Sequence, residues 1–227
     1  MPPRPTPAIV TQAGVKPIPR WALLALCIAY VVPGWLGRGP WKSADLTAFG
    51  YMLEMAQGHT SWSQPLLAGM PPEWPGLLPY WLGALAIKAL PFLSSELAAR
   101  TPFAMALGLC MVCTWYAIYY LARDKAAQPL AFAFGGEADP VDYARAVADG
   151  GLLALMASLG LAQLSHETTP ALAQLTSASL VFFGLSALAY RAAAPWLAIV
   201  LGLSGLVLSG APAVATLLAL AGTLACA

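Results

Sequence analysis

Charged side chains are scarce in this chain: 9% of its 227 residues are Asp, Glu, Lys or Arg, whereas 59% are hydrophobic. Soluble domains carry about 25% charged residues, so this composition excludes an ordinary soluble domain and indicates an integral membrane protein. The net charge is only +1, which is too small for bulk attraction to nucleic acid, and no nucleic-acid partner is expected.

Familiar catalytic motifs are also missing. The sequence has no Walker loop, no GxSxG, no zinc-protease motif and no dinucleotide fingerprint. Its four cysteines all lie in apolar segments, and Cys110 and Cys113 form a CxxC inside one of them. Because buried free cysteine behaves as a small hydrophobe, filling of a membrane helix explains this pair better than metal or redox chemistry.

Long apolar segments dominate what is present. A transmembrane helix needs about 20 apolar residues, and six segments approach or reach that length: 21–37, 101–122, 150–165, 170–190, 195–209 and 212 onward. The predicted fold class is therefore an all-α integral membrane protein with about six transmembrane helices. A further short helix is predicted over 139–147. The chain ends at "LACA", inside an apolar segment, which suggests truncation at the C-terminus.

The basic residues of the loops predict the orientation, because Lys and Arg are enriched on the cytoplasmic side of membrane proteins. Residues 1–20 are rich in Pro and contain bases but no acid, and they are predicted to be a disordered cytoplasmic leader. Loop 123–149 and the link at Arg191 are also basic. This pattern predicts a multi-pass protein of the bacterial inner membrane, with a cytoplasmic N-terminus and with loop 38–100 in the periplasm.

Loop 38–100 contains two more helical patterns. Residues 44–57 repeat apolar groups at helical spacing, and residues 79–90 are apolar but too short to span a membrane. Both are predicted to be periplasmic interfacial helices. Residues 58–78 between them are rich in Gly, Pro and Trp, which indicates an ordered, irregular loop.

Asp45 is the first candidate functional residue, because it opens the helix that follows the first span. Either Asp45 or Ser43 has the short oxygen-bearing side chain of a helix N-cap. A carboxylate at the membrane–water boundary is alternatively a general base toward a sugar or lipid hydroxyl. The sequence leaves both roles open.

Two further groups are candidate ligands for a divalent metal ion. Glu73 lies in "MPPEWPG" between prolines, where a carboxylate is either a cation ligand or a solvated loop acid. His166, followed by Glu167, lies on a short link that the predicted topology places on the same side as Asp45. Histidine is a common metal ligand, and a polar pair on such a link is equally typical of solvent-exposed surface.

Three cations on the predicted periplasmic side are candidates for binding a substrate phosphate: Lys42, Lys88 and Arg100. Their alternative role is charge at a helix end, with Lys88 reaching along an apolar surface to the interface. The aromatic residues of the same loop, among them Trp74 and Tyr80, are typical of a membrane aromatic belt or of a surface that stacks on sugars.

The order of these parts carries a family resemblance. One span is followed by "WKSADLTAFGYMLEMAQG", then by "LLAGMPPEWPGLLPYWLGAL", and then by "ELAARTP" at the entry to the next span. Over about residues 20–125 this resembles the N-terminal part of GT-C glycosyltransferases, in the branch of the lipid A aminoarabinose transferase and the protein O-mannosyltransferases. In that family an Asp-Glu pair follows the first span, an "L-x-G … E-K-P-P-L-x-Y-W" loop comes next, and "E-x-x-A-R-x-P" leads into the next span.

The resemblance implies roles for particular residues. Asp45 takes the place of the base that activates the acceptor, Glu73 that of an acid associated with metal or phosphate, and Arg100 that of the arginine at the span entry. Two positions depart from the pattern. Leu46 replaces the Glu of the pair, and Trp74 replaces the Lys expected to meet the lipid phosphate.

The predicted function is therefore that of a membrane glycosyltransferase. Residues 21–227 would form a GT-C-like transmembrane domain that moves a sugar from a polyprenyl-phosphate donor to lipid A or another envelope glycan, with a divalent metal ion as a further expectation and membrane lipid as a partner. Two alternatives stay open: a non-catalytic accessory or transport protein for lipid-linked sugars, and an inactive truncated remnant. The spans lack the ionisable residues of an ion-coupled pathway, which counts against transport.

Overall fold

Helices form nearly all of the regular structure in this chain. The computed structural model describes residues 9–36, 39–158 and 161–226, and within them it has nine α-helices, two 3-10 turns and no β-strand beyond isolated bridges. The α-helices are α1 Arg20–Val31, α2 Ser43–Gln57, α3 Leu78–Ala89, α4 Ser95–Ala122, α5 Pro140–Met156, α6 Leu161–Leu164, α7 Pro170–Ala187, α8 Ala194–Leu208 and α9 Pro212–Cys226. The all-α class is confirmed for the described residues.

Two of the described helices are long and apolar enough to cross a membrane, namely α4 with 28 residues and α7 with 18. This is weak support for membrane association. Helices α1 and α8 are apolar but have only 12 and 15 residues, and 15 residues extend about 22 Å against a hydrocarbon core about 30 Å thick. Six spans therefore stay a prediction.

The first apolar segment forms a shorter helix than its composition predicts. Helix α1 ends at Val31 rather than continuing to residue 37, which lies outside the described residues. Pro33 cannot donate a backbone hydrogen bond to the preceding turn. The N–H groups of Trp35 and Leu36 instead bond to the carbonyl of Val32 in a tight turn.

Helix α5 joins two elements that the sequence pattern separates. Helix 139–147 and the start of the span 150–165 form one helix, Pro140–Met156, which continues through Gly150 and Gly151. A Cβ at Gly151 would collide with the side chain of Ile118 on α4. The glycine therefore allows close approach of α5 to α4 rather than marking a break.

Helices α2 and α3 occur where the two interfacial helices are predicted, although their periplasmic location stays a prediction. They pack on each other and on α4 around a buried cluster that includes Met52, Met55, Tyr80 and Phe103. Gly83 of α3 lies directly against Met52, since a Cβ there would overlap the Met52 side chain. Burial of their apolar faces against α4 fixes both helices near the start of α4.

Helices α7 and α8 form an extensive contact through small residues. A Cβ at Gly202 would lie 2.5 Å from the Ser177 carbonyl oxygen, and one at Gly184 would lie 2.7 Å from the Pro195 carbonyl oxygen. Close backbone approach at small residues is typical of helix association in membranes. Burial of α7 against both α8 and α4 completes the bundle.

The N-terminal segment is more ordered than its composition predicts. Residues 1–8 lie outside the described part of the chain, but residues 9–19 contact the 132–142 loop and α5. The Ile18 N–H donates to Asp149 Oδ2 at 2.8 Å. The predicted leader and the predicted cytoplasmic loop therefore lie at the same end of the bundle.

The bundle has two chemically different ends. We call one the acidic end, since it holds Asp45, Glu73 and Glu167. Helices α2, α3, α4 and α7 begin at this end. We call the other the arginine end, where α1 and α5 begin and α4 ends, with Arg20, Arg123, Arg145 and Arg191. The 28 residues of α4 correspond to about 42 Å along the helix axis between the two ends.

Candidate functional site at the acidic end

Asp45 is fully buried in the first turn of α2, with 0% of its surface exposed. Its Oδ1 accepts two hydrogen bonds from Thr168, one from the backbone N–H at 2.8 Å and one from the hydroxyl at 2.6 Å. Its Oδ2 has no hydrogen-bond partner within the described part of the chain. Lys42, rather than Ser43 or Asp45, occupies the N-cap position, and no side chain caps the helix. The N-cap alternative for Asp45 is therefore not observed.

The short link before α7 is buried rather than exposed. Ser165, His166, Glu167 and Thr168 are all at most 5% exposed, so the interpretation of the link as exposed surface is wrong. The Thr168–Asp45 hydrogen bonds place this link beside α2, on the same side as Asp45. Residues 123 positions apart in the sequence thus form one contact.

His166 holds the carboxyl end of α1. Its Nε2 lies 3.0 Å from the Tyr30 carbonyl oxygen, and its Nδ1 lies 2.6 Å from the Ala162 carbonyl oxygen. A Cβ at Gly34 would overlap the imidazole ring. Each ring nitrogen therefore faces a backbone carbonyl, whichever of them carries the proton. His166 is buried against the end of α1 and does not face solvent.

Arg100 is also used to fix the segment after α1. It is 2% exposed, donates from Nη2 to the Gly34 carbonyl oxygen at 3.2 Å, and lies 5.1 Å above the ring of Trp35. Trp35 in turn stacks on Phe103 of α4. Arg100 therefore contacts the Gly34–Trp35 segment that follows α1, and within the described part of the chain no hydrogen bond or ion pair joins it to Asp45.

The two candidate lysines have different surroundings. Lys42 Nζ lies 3.7 Å from Oε1 of Glu167, which is 3% exposed, so this cation balances a buried acid. Lys88 lies in the last turn of α3, 5.8 Å from the centre of the Trp62 ring. Eight residues separate Lys88 from Tyr80 on the same helix, a distance of about 12 Å along the axis.

A cavity of about 140 Å³ lies between α2, α3, α7 and the loop before α3. We call it the acidic-end cavity. Asp45 is not one of its lining residues, but its neighbours on α2 are. The lining consists of Ser43, Ala44, Thr47, Ala48, Tyr51, Glu73, Trp74, Tyr80, Thr169 and Pro170. Three of the sequence candidates, namely Glu73, Trp74 and Tyr80, are therefore brought together here.

Helix N-termini supply positive potential to this cavity. Ser43 opens α2, Tyr80 lies in the first turn of α3, and Thr169 is the N-cap of α7. No side-chain hydrogen bond caps any of these three helices. A helix N-terminus carries positive partial charge and favours anions. Among the described residues that line the cavity none is Lys or Arg, so the helix ends are its main source of positive potential.

Two tyrosines form one wall of the cavity. Their ring centres are 5.4 Å apart, and the Tyr51 hydroxyl donates to the Met70 carbonyl oxygen at 3.0 Å. Burial, followed by the neighbouring Tyr51 and Glu73, raises the pKa of Tyr80 to about 12. Burial and then Glu73 also raise the pKa of Tyr51. Both phenols are therefore neutral hydrogen-bond donors at physiological pH.

The predicted metal site is only partly assembled. Glu73 lines the acidic-end cavity, whereas His166 contacts the end of α1. Among the described residues, no group of three or more His, Cys, Asp or Glu side chains is arranged to hold a metal ion. A divalent ion bound by Glu73 together with a substrate phosphate stays a prediction.

Two threonines are site residues that sequence reasoning missed. Thr169 precedes Pro170, and a threonine before a proline at the first helical position is a recognisable start signal. Its Oγ1 is buried without a hydrogen-bond partner in the described structure. Thr168 has no comparable signal, because its role depends on a contact with Asp45 across 123 residues of sequence.

The family resemblance rests on the sequence motifs alone. In the structure, the motif residues Glu73, Trp74 and Tyr80 line one cavity. Arg100 and Lys88, which belong to the same motifs and their surroundings, do not line it. Comparison of the chain with protein-family models, with curated proteins and with solved structures gives no match.

Proposed function

We propose that this chain is a membrane glycosyltransferase that moves a sugar from a polyprenyl-phosphate donor to lipid A or another envelope glycan. The observation that carries the proposal is the buried carboxylate of Asp45. Thr168 holds one of its oxygens, while the other has no hydrogen-bond partner among the described residues. A carboxylate that is fixed by one oxygen and free at the other is suited to accept a proton in a defined direction.

The reaction requires little from the protein beyond position and charge. An acceptor hydroxyl attacks the anomeric carbon, the bond from that carbon to the phosphate oxygen breaks, and polyprenyl phosphate leaves with the bonding electrons. The hydroxyl proton passes to Asp45 Oδ2 once this buried carboxylate, which does not line the acidic-end cavity, is exposed to the acceptor. Phosphate is a good leaving group, so the enzyme mainly orients the reactants, accepts this proton and stabilises the phosphate charge.

The acidic-end cavity is a candidate for the donor phosphate. Trp74 stands where the family resemblance places a lysine. The N-termini of α2, α3 and α7, which no side chain caps, supply positive potential instead of that lysine. Lys42, next to the lining residue Ser43, is a second source of positive charge. A volume of about 140 Å³ suits a phosphate group rather than a whole lipid-linked sugar. The sugar would lie outside the cavity, against Trp74, which is 56% exposed.

The proposal includes a membrane placement with six spans, a cytoplasmic N-terminus and a periplasmic acidic end, in a bacterial inner membrane. The arginine end fits the cytoplasmic side by the positive-inside tendency. Large apolar side chains are exposed along several helices, as expected of surfaces that face lipid; they include Leu24, Ile28, Met105, Leu109, Val112, Leu197, Val200, Leu201, Leu217 and Leu220. Loop 38–100 would then be periplasmic and loop 123–149 cytoplasmic.

Replacement of Asp45 by Asn tests the catalytic assignment. Asparagine keeps an oxygen that can accept both Thr168 hydrogen bonds but is not a base, so transfer should fall by about 100-fold or more while the fold is retained. Sugar transfer would be measured by mass spectrometry of lipid A and other envelope glycolipids in membranes that contain the chain. Asp149→Asn is the matched control, since Asp149 is a buried carboxylate at the arginine end.

Three outcomes separate the classes of function. A mass increment that disappears only with Asp45→Asn supports the glycosyltransferase and identifies the sugar. An increment that survives Asp45→Asn rules out Asp45 as the base. No increment with the folded wild-type chain contradicts the enzyme and favours an accessory protein or remnant.

Replacement of Trp74 by Lys tests the phosphate assignment separately. If the cavity holds the donor phosphate, a lysine at this position adds a charge of the correct sign and should preserve transfer. Abolition of transfer, with the variant folded, would mean that the phosphate lies elsewhere.

A further inference from the structure

The largest cluster of cations in the described structure surrounds a cavity at the arginine end. This cavity has a volume of about 390 Å³. Its lining combines four arginines with five aromatic residues: Arg20, Arg123, Arg145, Arg191, Trp115, Tyr116, Tyr119, Tyr120 and Tyr190, together with Val141. We call it the arginine cavity. The proposed sugar transfer uses none of these residues.

The acids nearest to this cavity are occupied elsewhere. Asp149 accepts the Ile18 N–H and the Trp115 indole N–H, each at 2.8 Å. Asp139 caps α5, and Asp142 accepts the side-chain amide of Gln12. Within the described part of the chain, no carboxylate lies within 4.0 Å of a nitrogen of the four arginines. Among the described residues, no acid forms an ion pair with the cluster, although Asp139 interacts with Arg123 at longer range.

Tyrosine hydroxyls orient two of the guanidinium groups. Arg123 donates from Nη1 to the Tyr119 hydroxyl at 3.2 Å, and Arg191 donates from Nε to the Tyr120 hydroxyl at 3.1 Å. These hydrogen bonds are the largest cause of the raised pKa of each arginine. Both groups retain other N–H donors, and a guanidinium fork matches the oxygens of a phosphate.

The aromatic rings are not free to stack on a planar ligand. Tyr119 is stacked on Trp115, with ring centres 5.3 Å apart and an interplanar angle of 9°. Tyr120 is stacked on Tyr190 at 5.1 Å. Because one face of each of these rings is already covered and four arginines line the cavity, an anionic group is favoured over a nucleotide base.

An apolar groove continues directly from the arginine cavity. It has a volume of about 460 Å³ and shares Arg20, Trp115 and Tyr116 with that cavity. Its remaining lining comes from α1, Val32 and α4, including Gly108, together with Leu152 of α5. A cationic cavity that opens into an apolar groove has the layout required by a molecule with an anionic head and a hydrocarbon tail.

We propose that this combined site binds an anionic membrane lipid, with its phosphate headgroup among the four arginines and a hydrocarbon chain in the groove between α1 and α4. Charge complementarity and the continuity of the two cavities select this occupant. The site is separate from the acidic end, so the proposal does not depend on sugar transfer.

Lipid exchange on the purified full-length chain tests the proposal. Native mass spectrometry in detergent would compare retention of dioleoyl phosphatidic acid with that of dioleoyl phosphatidylcholine, which has the same tails and no net charge. We expect selective retention of the anionic lipid. Glycerol 3-phosphate, which carries the phosphate without a tail, should not displace it at equal concentration.

Two sets of variants test the headgroup site and the hydrocarbon groove separately. Arg123→Gln combined with Arg191→Gln should weaken binding of phosphatidic acid by about 30-fold, since each cation near an anionic lipid contributes about fivefold. Lys125→Gln removes a charge two residues from Arg123 but outside the cavity lining, and should change binding little. Gly108→Leu should project into the groove and reduce retention, because a Cβ at this position meets no atom within 4 Å.

Each outcome decides for or against the lipid. Selective retention that is lost in both the arginine variant and Gly108→Leu supports the proposal. Equal retention of the two lipids, or an equal effect of Lys125→Gln, overturns it. Loss in the arginine variant alone, with displacement by glycerol 3-phosphate, also overturns it and assigns the cavity to a soluble phosphate ligand.

Discussion

The two ends of the bundle differ in how most of their charged side chains are placed, although the buried Asp149 at the arginine end resembles those of the acidic end. At the acidic end, Asp45, Arg100 and His166 are buried, and each binds a residue or backbone group more than 60 positions away in the sequence. At the arginine end, Arg123 and Arg191 are exposed, and among the described residues their hydrogen bonds go to tyrosine hydroxyls. Buried charges of the first kind hold the backbone in place, whereas exposed charges of the second kind remain available to a ligand.

The largest effect on stability should come from Thr168→Val. This change removes the hydroxyl that donates to the buried Asp45 at 2.6 Å, and loss of a hydrogen bond to a buried charge costs about 2–3 kcal/mol. Chemical denaturation in detergent micelles would measure the free energy of unfolding. Thr168→Ser, which retains the hydroxyl, should lose less than half as much. Equal losses would show that the methyl packing matters rather than the hydrogen bond.

Gly34→Ala should have the next largest effect. Its Cβ would overlap the ring of His166, and overpacking of this kind costs about 1–3 kcal/mol. Gly108→Ala is the control, because its Cβ meets no atom within 4 Å and alanine favours a helix by up to about 1 kcal/mol. A Gly34→Ala protein as stable as wild type would mean that His166 does not hold the end of α1.

Alkaline pH should lower the stability of the folded protein through Tyr80 at the acidic end. The pKa of Tyr80 is raised from 10.0 to about 12, so the folded protein retains this proton more tightly than the unfolded chain does. The resulting stability is complete below pH 10 and is lost as the pH rises toward 12. Thermal unfolding across this range should show a steeper decline for wild type than for Tyr80→Phe. Parallel curves would contradict the buried position of this phenol.

The smallest effect should come from Arg145→Gln at the arginine end. Arg145 is half-buried, and no hydrogen bond or ion pair of its side chain occurs within the described part of the chain. Surface substitutions of this kind change stability by about 0.5 kcal/mol or less. The same denaturation measurement applies. A loss comparable to that of Thr168→Val would remove the distinction between the two ends.

Local sequence patterns predict the helices better than they predict the site. Helix α2 and helix α3 begin and end within one residue of the segments 44–57 and 79–90, because apolar spacing and proline act locally. The predictions fail where a distant contact decides the outcome. Gly151 favours a break by composition, yet it lies inside a helix because Ile118 packs against it.

The site shows the same limit. Asp45 and Glu73 are recognisable because acids are rare in an apolar chain. Thr168 is not, since a threonine gives no sign of which carboxylate it will meet. Lys88 and Arg100 do not line the acidic-end cavity, because charge alone does not indicate which side of a helix a residue occupies, and their assignment to a phosphate site stays a prediction.

The position of His166 has a consequence for biogenesis. The imidazole that closes the end of α1 follows Tyr30 by 136 residues in the chain. A ribosome that adds about 5–20 residues per second needs on the order of ten seconds to make that stretch. During this interval the nascent first helix and the Asp45 carboxylate lack their final partners. The contacts of His166 and Thr168 can therefore form only after the link before α7 has been synthesised. Helices α1 to α5 are made before these contacts at the acidic end exist.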